Sequence, residues 1–464
     1  MGKKIMILLA FILLIASWAV TFLPAKAEDR TIIVPDDYPT ISEAINNANI
    51  GDTIFVKKGT YNETQLIVSK PLSLIGEAPE LTKINLDPPL LNMGEIISWI
   101  DGKPTTIWIH DLSIKVEADD FKFQGFAINT TGGSGVSITG NRTQLTDNII
   151  ITPTSLKTNY GNISANIFLG DVGINGSYSN IAENNFSGYI SAFGSHLNIS
   201  ANNKNSSNKV GVMDSGIKVD GSFCVIYGNN ITAKGLVPGI GVSGERNFVA
   251  KNIVDSSDVG IAVSGSNNIL YANRITNCKD DSFVSGISPT SGVALRVSGN
   301  NTLYANYIAY NTWGADVNVH PETNLTSTLY HNNFVGNTYQ VAALSRFRYG
   351  NDSFDNGVEG NFWSDYNGID ANSDGVGDVP YIIDDNRSDR YPLMAPFDID
   401  SLTVKLPEWA NTSTEKQAES NLAETEFDST TLVIIAIAVT TVTLVGAGLI
   451  VYFKKRPFNK ANLR

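Results

Sequence analysis

The sequence predicts an all-β chain wound as a right-handed parallel β-helix, and three observations lead there. A short pattern, apolar-x-apolar-x-Gly followed by a polar run and a second apolar position, recurs between Val136 and Phe334. Its copies are Val136-Ser-Ile-Thr-Gly140, Val172-Gly-Ile-Asn-Gly176, Ile217-Lys-Val-Asp-Gly221, Ile240-Gly-Val-Ser-Gly244, Ile261-Ala-Val-Ser-Gly265, Leu295-Arg-Val-Ser-Gly299 and Val317-Asn-Val-His-Pro321. They close on Ile149, Phe186, Ile231, Ile253, Ile275, Ile308 and Phe334. Alternation at period two makes each copy a strand, and the compact units Gly221–Gly244 and Gly244–Gly265 leave no room for a crossover helix. No single unit buries its own apolar face, so the units must stack. A strand returning beside a parallel strand is overwhelmingly right-handed.

Taken in order, residues 1–27 read as a secretory signal: Lys3-Lys4, the apolar run Ile5–Leu23, then Ala25-Lys26-Ala27. The β-helix is expected over 28–340. Near its start, Asp36-Asp-Tyr-Pro-Thr40 before Ile41-Ser-Glu-Ala-Ile45 predicts a short helix capped by Thr40 or Ser42. Its face of Ile41, Ala44, Ile45 and Ala48 would cover the first coil. Alternation in Leu66–Gly76 predicts early strands. The longer stretches Ile150–Asp171, Ser187–Ser215 and Thr276–Ser291 read as excursions leaving from one point of the coil. Residues 341–397, rich in aromatics, Asp and Asn, are expected as a C-terminal cap, and 398–430 as a solvated stalk. Thr431–Phe453 is an uncharged run of 23 residues, long enough to span a bilayer. The tail 454–464 opens with Lys454-Lys455-Arg456 and belongs in the cytoplasm, with the remainder outside.

Of 33 basic residues, eight lie outside 28–430, leaving 25 against 46 acidic residues and a net charge of −21 on the ectodomain. So acidic a surface excludes nucleic acid as a partner. Cys224 and Cys278 fall at different positions of coils too far apart to bridge, and read as buried free thiols. Fourteen Asn-x-Ser/Thr sequons, among them Asn62, Asn141, Asn175, Asn185, Asn198 and Asn230, are expected to carry glycans in part.

Three stretches carry a family resemblance. The helix at Ile41–Ile45, the run Gly59-Thr-Tyr61-Asn-Glu63 and the pattern Leu72-Ser-Leu74-Ile-Gly-Glu77 resemble the N-terminus of the NosD-like periplasmic copper-binding family. Phe123-Gln-Gly-Phe-Ala-Ile128 is similar to a coil of the same group, and Gly360-Asn-Phe-Trp363-Ser-Asp365-Tyr366 with Tyr391-Pro392-Leu393 to the end of its archaeal surface members. The resemblance implies a β-helix of the pectin-lyase-like kind, a fold that hosts lyases, hydrolases and non-enzymes alike.

Positions two before each closing apolar residue are Asp147, Asn184, Asn229, Lys251, Asn273, Asn306 and Asn332, which predicts a turn ladder bonded from coil to coil. The outward face of the repeated strand is expected to carry Ser137, Gly173, Lys218, Gly241, Ala262, Arg296 and Asn318 in one column. Thr139, Asn175, Asp220, Ser243, Ser264, Ser298 and His320 form the next. This mostly small floor suits a long polymer. Lys218, Asp220, Arg296 and His320 are the only titratable members of the two columns and the weak catalytic candidates. The sharpest ligand motif is Asp370-Ala-Asn372-Ser-Asp374-Gly375-Val376-Gly-Asp378, which follows the first nine positions of an EF-hand calcium loop. Position twelve is Tyr381, so the bidentate Glu is missing. Copper finds no soft-ligand cluster among four scattered His, five Met and two Cys.

These readings set the expectation: a membrane-anchored extracellular protein that binds polysaccharide or cell-envelope glycan without chemistry of its own. The alternatives are a polysaccharide lyase or hydrolase acting on the outward face, and a copper accessory protein.

Overall fold

The computed structural model describes residues 30–92, 98–100, 103–105, 108–130, 135–205, 216–233, 237–279, 291–317, 325–342 and 352–410, all within one compact unit, Asp29–Ser413. The signal 1–27, the stalk residues 411–430, the run Thr431–Phe453, the tail 454–464, Asn318 and His320 lie outside the described residues. Among the described residues no helix is long and apolar enough to cross a membrane.

Three parallel sheets form the walls of a right-handed solenoid of about 12 turns. Sheet 1 has 12 strands, from Leu66–Val68 to Tyr339–Val341. Sheets 2 and 3 have 13 strands each, from Thr31–Val34 to Thr328–Tyr330 and from Gly59–Glu63 to Phe362–Trp363. One coil supplies Ile217–Asp220 to sheet 1, Val225–Tyr227 to sheet 2 and Asn230–Thr232 to sheet 3. Inward columns such as Ile217, Ile240, Ile261 and Leu295 are buried and in register. Each such side chain stabilises the fold by roughly 1.5–3 kcal/mol. The helix Ile41–Asn47 (α1) has Thr40 as its N-cap, accepting a bond from the Glu43 N–H at 3.1 Å, and buries Ile41, Ala44 and Ile45. The corner glycines of the motif are fixed by close approach. At Gly244, φ is +123° and a Cβ would lie 2.1 Å from the Gly221 carbonyl oxygen.

Two of the expected excursions are coils in their own right. Thr154–Lys157, Asn162–Ser164 and Ile167–Phe168 make one; Ile190–Phe193, Asn198–Ser200 and Asn203–Asn205 make another. Here the repeat shortens to 18 residues. Its signature is blurred because Thr154 takes an apolar place and Thr158 stands where the corner glycine belongs. Lys204 occupies an inward position between Phe186 and Ile231, buried, with Nζ donating to the carbonyls of Ser187 (3.3 Å) and Gly188 (2.6 Å). The last motif copy is also re-registered by two residues: Val317 pairs with Val297, not Leu295. Arg296 therefore faces Asp316.

The expected asparagine ladder exists and is longer than its sequence outline. Asn148, Asn166, Asn184, Asn202, Asn229, Asn252, Asn273, Asn306, Asn332 and Asn361 stack at the corner between sheets 2 and 3, all essentially buried. Each after Asn148 accepts, on Oδ1, both the backbone N–H and the Nδ2–H of the ladder residue before it, at 2.8 to 3.1 Å, while Asn148 Oδ1 accepts from the Phe126 N–H (3.1 Å). Asp147 and Lys251 are not its members. Their coils close on two consecutive apolar residues, and the inward ones are Ile150 and Val254, which moves the ladder position to Asn148 and Asn252. Asp147 and Lys251 instead take the left-handed conformation preceding the ladder residue.

The ladder ends on a carboxylate. Asp389 Oδ2 accepts from the Asn361 N–H (2.6 Å) and Trp363 Nε1 (2.9 Å), and Oδ1 accepts from the Tyr391 N–H (3.0 Å). Burial pushes its pKa up to about 6 despite these bonds. Trp363 stacks between Phe334 and Tyr381 at 4.4 and 4.5 Å. Residues 398–410, expected to begin the stalk, instead lie on the outer face of sheet 2. From Val225 onward that face turns apolar, with Phe248, Ile269, Tyr271 and Tyr304, and it meets Phe397, Ile399, Leu402, Val404 and Trp409. Burial there raises the Tyr304 pKa to about 12, and Arg274 pairs with Asp400.

Asn273→Ala removes the acceptor for two Asn252 donors and the donor to the Val249 carbonyl. Denaturant unfolding should show a loss on the order of 3 kcal/mol. Asp389 carries a folded pKa above the ordinary ~3.9, so its contribution is complete below about pH 4 and lost as pH rises through about 6. Asp389→Asn should therefore narrow the difference in melting temperature between pH 4 and pH 7.

Candidate functional site

The outer face of sheet 1 carries two clefts in line along the solenoid. Its second outward column runs Glu117, Thr139, Lys157, Asn175, Phe193, Asp220, Ser243, Ser264 and Ser298 in continuous register. At about 4.8 Å per strand the column is roughly 38 Å long. Lys157 and Phe193 enter it from the two coils that read in the sequence as excursions, the second despite its intact opening Ile190-Ser-Ala-Phe-Gly194.

The C-terminal cleft, about 360 Å³, is lined by Lys218, Pro238, Gly241, Ser243, Ala262, Ser264, Arg296 and Ser298 among others. Its floor is small because Gly241 and Ala262 stand between Lys218 and Arg296 in the first outward column. Three strand spacings, about 14 Å, separate the two cations. Lys218 is exposed and lies 5.7 Å from the ring centroid of Phe193, itself 42% exposed. Arg296 Nε meets Asp316 Oδ2 at 3.4 Å, with Asp316 buried beneath it. Asp220 is exposed at the Phe193 end. The structure thus gathers Lys218, Asp220 and Arg296 on one face.

The N-terminal cleft is larger, about 640 Å³, and lined by amides, hydroxyls and charges: Glu117, Asp119, Thr139, Asn141, Lys157, Asn159 and Asn175. Asn141 Oδ1 accepts from the Asn159 backbone and side chain (3.2 and 3.0 Å), so its rim is held by a second, exposed ladder.

In the calcium-like loop, Asp370 Oδ1 and Oδ2 accept the N–H groups of Asp374 and Gly375 (3.2 and 2.9 Å). Asp374 Oδ1 accepts from the Val376 N–H (2.9 Å), Asn372 donates to Asp374 Oδ2 (2.8 Å) and Asp378 Oδ2 accepts from the Ala371 N–H (2.7 Å). The carboxylates are thus spent on backbone donors as Asx-type turns. Among the described residues no three His, Cys, Asp or Glu converge as metal ligands.

The described histidines and thiols are likewise dispersed. His196 stacks between Tyr178 and Phe223 at 4.6 and 5.1 Å. His331 Nε2 contacts Glu359 at 2.6 Å and its ring stacks on Phe397. Cys224 and Cys278 are free and buried, and burial pushes their thiols up to about 11 and about 12. These residues do not fit a copper site, which needs softer ligands gathered at one point.

Residues 180–368 match the family profile described as "Periplasmic copper-binding protein (NosD)". The matched stretch contains every residue lining the C-terminal cleft and none of those lining the N-terminal one. No curated protein matches the sequence. Among solved structures, the Azotobacter vinelandii mannuronan C-5 epimerase AlgE6 A-module is similar at 13% identity and TM-score 0.44, over 68% of this chain and 92% of that one. A mannuronic acid specific polysaccharide family 6 lyase from human gut microbiota is similar at 13% identity and TM-score 0.40, over 84% and 94%.

Proposed function

We propose that this NosD-like β-helix protein is an extracellular, membrane-anchored binding protein that holds carbohydrate along the outer face of sheet 1. The carrying observation is the C-terminal cleft: a floor of Gly241, Ala262, Ser243, Ser264 and Ser298 between Lys218 and Arg296, with exposed Phe193 alongside. Serine hydroxyls and a cation at each end supply polar contacts for sugar hydroxyls or an acidic substituent, and a half-exposed aromatic supplies an apolar one. Binding is favoured over hydrolysis by spacing. Hydrolysis of a glycosidic bond uses two carboxyl groups about 5–9.5 Å apart across that bond. Among the described residues no carboxylate lines the C-terminal cleft: Asp220 stands beyond its Lys218 end, and Asp316 lies beneath Arg296 at the other. The signal and Thr431–Phe453 motivate the anchored, extracellular placement.

Calcium is proposed on the loop's sequence alone. Closing Asp370, Asn372, Asp374, the Val376 carbonyl and Asp378 on an ion requires the carboxylates to give up the N–H bonds they now accept. Adding Ca²⁺ should raise the melting temperature of the C-terminal segment and chelator should reverse it; an identical curve in both removes the ion from the account.

Residues 29–413, tested on a glycan array and on envelope polysaccharides, should retain a glycan. Phe193→Ala or Lys218→Ala should each weaken that binding by about ten-fold, equivalent to ~1.4 kcal/mol. Retention of nothing counts against the reading, and depolymerisation of a retained glycan would turn it toward the lyase or hydrolase alternative.

A further inference from the structure

Two sequon asparagines, Asn141 and Asn175, line the N-terminal cleft, and they differ in what their side chains do. Asn141 Oδ1 is committed to Asn159. Asn175 is exposed, ends the strand Val172–Asn175 and is followed by Gly176 at φ +149°, so it sits where the chain leaves the sheet for a turn. Among the described residues its amide makes no side-chain hydrogen bond. Asn198, also in a sequon, is the contrast: it is half-buried and its Nδ2 donates to Asn180 Oδ1 (2.7 Å) and Ser200 Oγ (3.3 Å).

We infer that Asn175 Nδ2 is an N-glycan acceptor and that the attached glycan lies in the N-terminal cleft against Glu117, Thr139, Lys157 and Asn159. The inference rests on the extracellular placement proposed above. In the transfer, a polyprenyl-phosphate-linked glycan supplies the sugar: the Nδ2–C1 bond forms, the C1–O bond to phosphate breaks, and the amide proton leaves with the phosphate group. A sugar chain rooted at this rim finds amide, hydroxyl, carboxylate and ammonium groups within the cleft's 640 Å³, the mix that recognises sugar hydroxyls. The consequence is a division of the face. The chain's own glycan fills the N-terminal half, and foreign ligand is confined to the half between Lys218 and Arg296.

Peptide mapping by mass spectrometry on the full chain purified from its native source tests the acceptor. Asn175 should carry a glycan mass and Asn198 should not. Modification at other sequons with Asn175 bare overturns the assignment while leaving the extracellular placement standing; no modification at any sequon overturns the assignment and removes support for the placement. Seating is read separately from amine acylation of Lys157, which is exposed. Its rate should rise several-fold in Asn175→Gln, and an unchanged rate would overturn the seating.

Discussion

The buried asparagine ladder is the constraint on which the rest of this solenoid depends. A column of amides inside an apolar core is tolerable only if every donor and acceptor is matched, because an unmatched buried group costs about 1–3 kcal/mol. Here each Oδ1 after Asn148 takes two donors from the coil before it, and each Nδ2 reaches a backbone carbonyl as well, as Asn252 does to Ile226 at 2.9 Å. Matching therefore requires neighbouring coils in strict register at one corner. Sheets 2 and 3 keep the same short connection through every such coil, from Leu145 and Ile150 to Leu329 and Phe334. Variation in coil length, from 18 to 33 residues along the ladder, is pushed to the other corners.

That division of labour shapes the faces. Sheet 2 is polar outside in its early coils, with Gln144, Asn162, Asn180 and Asn198, and apolar from Val225 onward. The apolar half is covered by the chain's own residues 397–410. Sheet 1 keeps its small outward side chains and its two clefts open. At the far end Asp389 replaces the next asparagine, accepting where no further coil exists to supply an amide, and so terminates the ladder without an orphaned donor.

Much of this was legible in the chain. Period-two alternation with a corner glycine is enough to require stacked strands, and Ile41, Ala44 and Ile45 beside Thr40 announce α1, since both follow from local geometry and the need to bury one face. The coil at Thr154 was not legible, and the one at Ile190, though its opening Ile190-Ser-Ala-Phe-Gly194 fits the pattern, was hidden at its closing position. Threonine and lysine fill inward places there, and only the neighbouring coils show that Thr154 is buried and that Lys204 finds carbonyls for its ammonium. The site suffered accordingly: Lys218, Asp220 and Arg296 were identifiable from the pattern, whereas Phe193, Lys157 and the Asp316 partner were not.

The sequence by itself determined the architecture, the existence of an asparagine ladder and a floor of small side chains, because each is a periodic property that a single strand already carries. Tertiary structure decided the register. Where two apolar residues adjoin, as in Ile149-Ile150 and Ile253-Val254, a one-residue choice moves the ladder from Asp147 and Lys251 to Asn148 and Asn252. At the last copy a two-residue shift sets Arg296 against Asp316. Such choices are settled by pairing with adjacent coils, where a slip would expose the inward column and strand buried amides, and no isolated stretch of chain contains that information.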